Sequence, residues 1–190
     1  MGGLGNQLFQ IFATIAYGIR SSRKVILPYS DALAVGTRRN TYWNSFLSSI
    51  KSMTTANEKN QYSIERILGF PIYKEPGFIY NEIPNFRDNK EVLLYGYFQS
   101  YKYFENEKSS IFSLLKIKMQ QNTIINEFPE LASNDYHKVS MHFRMGDYKE
   151  LQDCHPIMPY EYYEKSLKCI NTIQENEKNE KNEKNEKNEK

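Results

Sequence analysis

Met1-Gly2-Gly3-Leu4-Gly5-Asn6-Gln7-Leu8-Phe9-Gln10 opens the chain with a glycine-rich loop that runs straight into helical periodicity. Leu8, Phe9, Ile11, Phe12, Ile15, Ala16 and Ile19 recur at spacings that predict an amphipathic helix over 6–21. Gly2, Gly3 and Gly5 let backbone approach a ligand closely. A helix N-terminus adds free N–H groups and positive dipole potential, and Asn6 and Gln7 place amide donors and acceptors at its mouth. Loop and helix are half of a ligand-binding βα unit. The apolar strand that would hold the loop belongs ahead of Gly2, so the N-terminal domain is expected to lack its first strand. The loop is not a dinucleotide fingerprint, because Leu8 stands where the third glycine would be, and no Gly-Lys-Ser/Thr follows to make a Walker loop. On pattern alone, a glycine-rich helix start with a structural role fits as well.

Working outward, Lys24-Val25-Ile26-Leu27-Pro28 reads as a short buried strand closed by Pro28, and 43–50 as a short helix. Residues 51–91 are punctuated by Pro and Asn, with weak strands expected near Ile72-Tyr73 and Phe78-Ile79-Tyr80. Val92-Leu93-Leu94-Tyr95-Gly96-Tyr97 reads as a buried strand. Ser100 sits where a helix N-cap would, ahead of a helical pattern over 101–115, and 123–131 is a further helix candidate. Lys138-Val139-Ser140-Met141-His142-Phe143-Arg144 alternates with period two, which predicts a strand with Ser140, His142 and Arg144 on one face. Pro159 is suited to the first position of a helix that runs through Tyr163, Leu167 and Ile170. From Asn176 the chain repeats Asn-Glu-Lys to Lys190, without an apolar residue to bury. That tail is expected to fray as an extension of the helix or to be disordered.

Composition narrows the function classes. Fifteen Tyr and 11 Phe in 190 residues exclude global disorder. The net charge is +2 and the Asn-Glu-Lys triplets are self-neutralising, so no basic stripe marks nucleic acid as a partner. Two cysteines, Cys154 and Cys169, make neither a disulfide framework nor a metal-ligand spacing. There is no apolar run long enough for a membrane span and no signal-peptide pattern. Asn6 occupies the position where an N-myristoylation motif needs Ser or Thr. The expectation is a soluble, cytoplasmic protein.

Two further stretches carry chemistry. In His142-Phe143-Arg144-Met145-Gly146-Asp147-Tyr148, strand alternation would put His142 and Arg144 at the C-terminal end of a strand, where open α/β sheets bind ligands. Arginine is planar and permanently charged, as a pyrophosphate requires, and Asp147 could orient Arg144 or meet a ligand hydroxyl. A surface salt bridge at a strand end explains the same residues without function. Gly96-Tyr97-Phe98-Gln99-Ser100-Tyr101-Lys102-Tyr103-Phe104 is likewise satisfied by strand, turn, capped helix and aromatic packing.

These stretches together resemble the α-1,2-fucosyltransferases of glycosyltransferase family 11. The opening Gly2-to-Gln10 loop is similar to that family's first motif, and His142-to-Tyr148 to its His-x-Arg-Arg-Gly-Asp-Tyr motif. Gly96-to-Phe104 is similar to its Gly-Tyr-aromatic-Gln-Ser stretch, and Met158-Pro159-Tyr160-Glu161-Tyr162-Tyr163 to the segment leading into its next helix. The matches run in order across residues 2–175. The second arginine of the family motif is Met145 here.

The resemblance implies an α/β, GT-B-like fold of two Rossmann-like domains. Residues 1–133 would form the N-terminal one, 134–175 the first strand–helix unit of a truncated donor domain, and 176–190 a low-complexity tail. It implies inverting transfer of fucose from GDP-fucose to a sugar hydroxyl of a glycan acceptor, commonly the 2-hydroxyl of galactose. Arg144 matches the donor-binding arginine facing the diphosphate, with Gly3, Gly5 and Tyr148 in the donor loops and His142 and Asp147 flanking. Asn6 is placed to orient the acceptor; His142 and Asp147 are candidate bases by chemistry. No Asp-x-Asp occurs, so neither metal nor other cofactor is expected, and Arg144 with backbone N–H groups would stabilise the departing GDP. A donor domain of one strand and one helix is too small for its own core, so low or no transferase activity is expected. The alternative is a non-catalytic protein of the same descent that binds a nucleotide sugar, a glycan or a partner chain; an unrelated nucleotide-binding module is a third reading.

Overall fold

The structure, a computed structural model, describes residues 2–33, 38–135, 137–143, 145–150 and 152–188, with only the backbone of Asp147 and of residues 177–188. The chain divides into two compact units, Met1–Asn134 and Asp135–Lys190.

The first unit is built around α1 (Leu4–Arg20), which forms where the apolar spacing predicts it. The helix is buried on two sides. Ile11, Phe12, Ile15 and Ala16 pack with Leu27, Trp43, Leu47, Ile50, Ile111 and Leu115. Ala13 and Tyr17 pack with Ile83, Phe98 and Tyr103 in a second cluster. A helix apolar on two sides belongs at the centre of a domain rather than on its surface. Ile19, expected on the apolar face, is instead exposed in the last turn. Arg20 beside it donates to the Tyr103 carbonyl and to Glu107, both at 2.9 Å, and ties the helix end to the segment packed against it.

Sheet structure is sparse. Two short strands, β1 (Ala32–Leu33) and β2 (Arg39–Asn40), pair antiparallel. Downstream of the short helix α2 (Ile64–Leu68), β3 (Ile72–Lys74) and β4 (Leu93–Tyr95) pair in parallel, with Tyr73 opposite Leu94. Both lie where strands are expected from sequence. The segment Lys24–Pro28 makes a single parallel bridge, Leu27 with Thr54, rather than a full strand. Phe78-Ile79-Tyr80 makes no strand; Phe78 and Ile79 are exposed. Pro76, Gly77 and Pro84 around it remove the donors and the regularity that a ladder needs. The architecture is mixed helix and sheet, α/β in the broad sense.

The helix expected over 101–115 is broken in two. Ser100 caps a 3₁₀ turn, Tyr101–Tyr103, and α3 (Lys108–Leu114) follows separately. Tyr103 and Phe104 are neighbours in sequence that pack inward together, which one straight amphipathic helix does not provide. Next, α4 (Ile117–Glu127) begins six residues before the position expected and is joined to a 3₁₀ turn at Pro129–Leu131. Residues 43–50 form turns leading into a 3₁₀ segment, Ser48–Met53.

In the second unit, α5 (Tyr160–Asn188) starts directly after Pro159, as the sequence predicts, and its backbone continues through the Asn-Glu-Lys triplets. The strand expected at 138–144 does not form over its described residues: 137–143 are irregular and exposed. A lone strand leaves both rows of main-chain groups unpaired, and alternation alone does not compensate. Among the described residues, no helix is long and apolar enough to cross a membrane.

Candidate functional site

The opening loop and the start of α1 form the best-defined candidate site. Gly2 has φ +82°, and a Cβ there would lie 2.2 Å from Asn6 Nδ2, so glycine is required on both counts. Gly3 and Gly5 differ. A Cβ at either would meet nothing within 4 Å, so the backbone there borders open space. Gly3 is the N-cap and offers no side chain to the first turn. The N–H groups of Leu4, Gly5 and Asn6 precede the first intrahelical donor, Gln7 N–H, which reaches the Gly3 carbonyl at 3.1 Å.

Gln7 fixes the loop. It is buried, and its Nε2 donates to the carbonyls of Gly2 at 3.1 Å and Asn40 at 2.9 Å. One turn away on the rim, Asn6 Oδ1 accepts from Gln99 Nε2 at 2.7 Å. This contact joins the opening motif to Gly96–Phe104 across 93 residues of chain. Sequence reading singled out both stretches but not their meeting, nor the anchoring role of Gln7.

Gln99 is positioned by a polar knot with no sequence signature. Glu75 Oε2 accepts the N–H groups of Tyr97 and Phe98, each at 2.8 Å, and Oε1 accepts Tyr103 Oη–H at 3.1 Å. Two successive N–H groups converging on one carboxylate oxygen form an anion nest. They hold Phe98 at φ +51°, with its ring buried. A Cβ on Gly96 would lie 2.4 Å from that of Glu75, so the carboxylate reaches the turn only because residue 96 is glycine.

Burial, and after it the Glu75 carboxylate, push the Tyr103 phenol above 10.0 against the opposing Asn81 N–H; Tyr73 is raised by burial first and Glu75 second. A folded value above the unfolded one stabilises the fold fully below pH about 10 and loses that stabilisation as pH rises through the folded value. Urea midpoints are therefore expected to hold level between pH 8 and 9.5 and to fall above pH about 10, less steeply in Tyr103→Phe. Identical slopes in the two proteins would contradict this assignment.

The candidates of the second unit are placed differently. His142 is exposed in the irregular segment and is not on a strand. Arg144, the expected diphosphate ligand, lies outside the described residues. Asp147 begins a 3₁₀ turn, Asp147–Glu150, and its side chain is likewise outside the description. Tyr148 stacks on His155 with ring centroids 4.6 Å apart and planes 11° from parallel. Phe143 packs on Tyr163 of α5 at 4.6 Å. Cys154 and Cys169 are exposed thiols. Among the described residues, no group of three or more His, Cys, Asp or Glu side chains is placed to hold a metal.

The chain matches no protein-family model, no curated protein and no solved structure.

Proposed function

We propose that this chain is a fucosyltransferase homologue, with a GT-B-like ancestry, that binds GDP-fucose and a glycan acceptor. The observation that carries the reading is the Asn6–Gln99 hydrogen bond of 2.7 Å. Two of the motifs that resemble family 11 meet there, at an uncapped helix start whose Gly3 and Gly5 leave backbone open to a ligand. Asn6 orients an acceptor hydroxyl. Arg144 takes the diphosphate charge as the bond from fucose C1 to the GDP oxygen breaks, with Tyr148 in the same donor loop. The acceptor oxygen bonds to C1 from the opposite face, and its proton passes to a base, for which His142 and Asp147 have the chemistry. The preferred acceptor is the 2-hydroxyl of galactose, and neither metal nor other cofactor enters the scheme.

A second reading, a non-catalytic nucleotide-sugar or glycan-binding protein, is favoured by His142, which sits on an exposed irregular segment rather than a strand end. Calorimetric titration of GDP and GDP-fucose, with a galactoside turnover assay, tests both. The expected result is saturable GDP-fucose binding, weakened at least about tenfold in Arg144→Ala by loss of a charge-assisted contact. Any acceptor turnover by the wild type, expected to be low, should fall in Asn6→Ala and Gln99→Ala while GDP affinity is spared. Binding without turnover would select the second reading, no binding of either nucleotide would remove the GDP-fucose reading, and equal affinity in Arg144→Ala would remove Arg144 from the donor site.

A further inference from the structure

The loop between Glu75 and Asn81 carries the two most exposed large apolar side chains among the described residues, Phe78 at 82% and Ile79 at 80%. At such exposure neither packs on its own domain. They are neighbours in sequence, so they form a patch rather than two scattered residues. The proposed transfer chemistry uses neither of them.

The support under them is nevertheless fixed. Both ends of the loop meet one buried hydroxyl: Tyr103 Oη donates to Glu75 Oε1 and accepts from Asn81 N–H, each at 3.1 Å. Asn81 Nδ2 reaches back to the Ile79 carbonyl at 2.8 Å and closes the turn. Pro76 fixes one further dihedral at the loop's start. The apolar pair is thus displayed on a clamped base, and burying it against a partner costs little ordering entropy.

The residue types are layered from the core outward. Tyr80 packs edge-on against the Tyr103 ring at 4.8 Å, and Lys102 Nζ lies 5.9 Å from the Tyr80 ring centroid. Beyond that tyrosine and ammonium stand Phe78 and Ile79. A bilayer surface asks for this order. Tyrosine rings sit at headgroup level, lysine amines stay with the phosphates, and Phe and Ile reach the acyl boundary. Area argues against a protein partner. Two such side chains offer about 300 Å², less than half of the ~800 Å² that each side of a stable protein interface buries. The chain continues into polar Asn81 and Glu82, both exposed. A bilayer sets no such threshold, because partitioning grows with each apolar group inserted. A protruding pair also leaves no cavity for further chain to fill.

We infer that the Phe78-Ile79 loop inserts into the headgroup–acyl boundary of a lipid bilayer and attaches the first unit to the membrane surface. Two side chains, like one acyl chain, give reversible attachment rather than a permanent anchor. Lys102 attracts anionic headgroups, and the exposed Glu82 carboxylate offsets part of that attraction. Apolar insertion therefore carries most of the binding. The inference is independent of the GDP-fucose reading.

The test is co-sedimentation of the full chain with vesicles of mixed phosphatidylcholine and phosphatidylserine. The wild type is expected to partition onto them, and the double variant Phe78→Asp, Ile79→Asp to do so at least about tenfold more weakly. Ile124→Asp, at an apolar side chain of α4 that is 48% exposed, should partition like the wild type. Thermal midpoints should stay level in the double variant, because its side chains leave no packing behind. Phe78→Trp reports depth. Its emission should shift to the blue on vesicles and be quenched by lipids brominated along the acyl chain, against the constant background of buried Trp43. A wild type that stays in the supernatant, a double variant that sediments like the wild type, or a Phe78→Trp emission that brominated lipid leaves unquenched would overturn the proposal. So would a dimer in sedimentation velocity that the double variant abolishes and vesicles do not, because the tip would then be a protein contact.

Discussion

Glu75→Ala is expected to destabilise the first unit by about 3–4 kcal/mol, read as a lowered urea midpoint at pH 7. The carboxylate accepts three hydrogen bonds, from Tyr97 N–H, Phe98 N–H and Tyr103 Oη–H. Bonds to a charged acceptor are each worth roughly 1.5–3 kcal/mol, but members of one network do not add. Alanine leaves two neighbouring N–H groups without their acceptor and leaves Tyr103, buried in the second cluster, without its carboxylate. It also removes what holds Phe98 in the left-handed region at φ +51°, a conformation that costs a non-glycine residue roughly 1–2 kcal/mol. Glu75→Gln is the control. Its single carbonyl oxygen can keep the nest while the amide faces the phenol, so about half of the loss is expected. A loss below about 1 kcal/mol in Glu75→Ala would show that the turn is held by packing alone. Because Gln99 follows Phe98 directly, the same variant should loosen the Asn6–Gln99 contact.

That coupling marks what sequence could and could not tell. The position of α1 was legible because seven apolar residues repeat with helical period, and β4 because Leu93 and Leu94 sit in a β-rich apolar run ended by Gly96. Pro159 announced α5 through its fixed φ. Glu75 was not legible: an isolated glutamate in a Pro- and Asn-rich stretch looks like any solvated charge, and only the parallel pairing of β3 with β4 brings it under the Tyr97–Phe98 turn. The period-two pattern of 138–144 misled for the converse reason. Alternation states which face a strand would bury, but a strand exists only where a neighbour accepts its hydrogen bonds. Lys24–Pro28 falls between these cases, held at Leu27 by a single bridge to Thr54 and extended no further as a strand. At the candidate site the glycines and Asn6 were visible as types, whereas the roles of Gln7 and Gln99 depend on contacts 33 and 93 residues away.

Gly18→Ala is expected to cost about 1 kcal/mol, because two effects oppose each other there. Gly18 sits inside α1 with ordinary helical φ, where alanine is intrinsically better by about 1 kcal/mol. Against that, its Cβ would lie 2.2 Å from Val25 Cγ2 and 3.2 Å from the Arg23 carbonyl. The Gly18 carbonyl accepts from Arg23 N–H at 2.8 Å, across a turn that already puts Ser22 at φ +54°. Arg23 is pinned in turn by its guanidinium, which donates to the carbonyls of Asn89 and Lys90 and to that of Phe86. The chain after α1 therefore has little freedom to retreat, and overpacking of roughly 1–3 kcal/mol outweighs the helical gain. The double-mutant cycle with Val25→Ala separates the two effects. Removing Cγ2 takes away the closest clash, so Gly18→Ala in the Val25→Ala background should be neutral or stabilising, with a coupling of about 2 kcal/mol. Additive losses would mean that the Arg23 turn, rather than the Val25 side chain, sets the limit on α1 at this point.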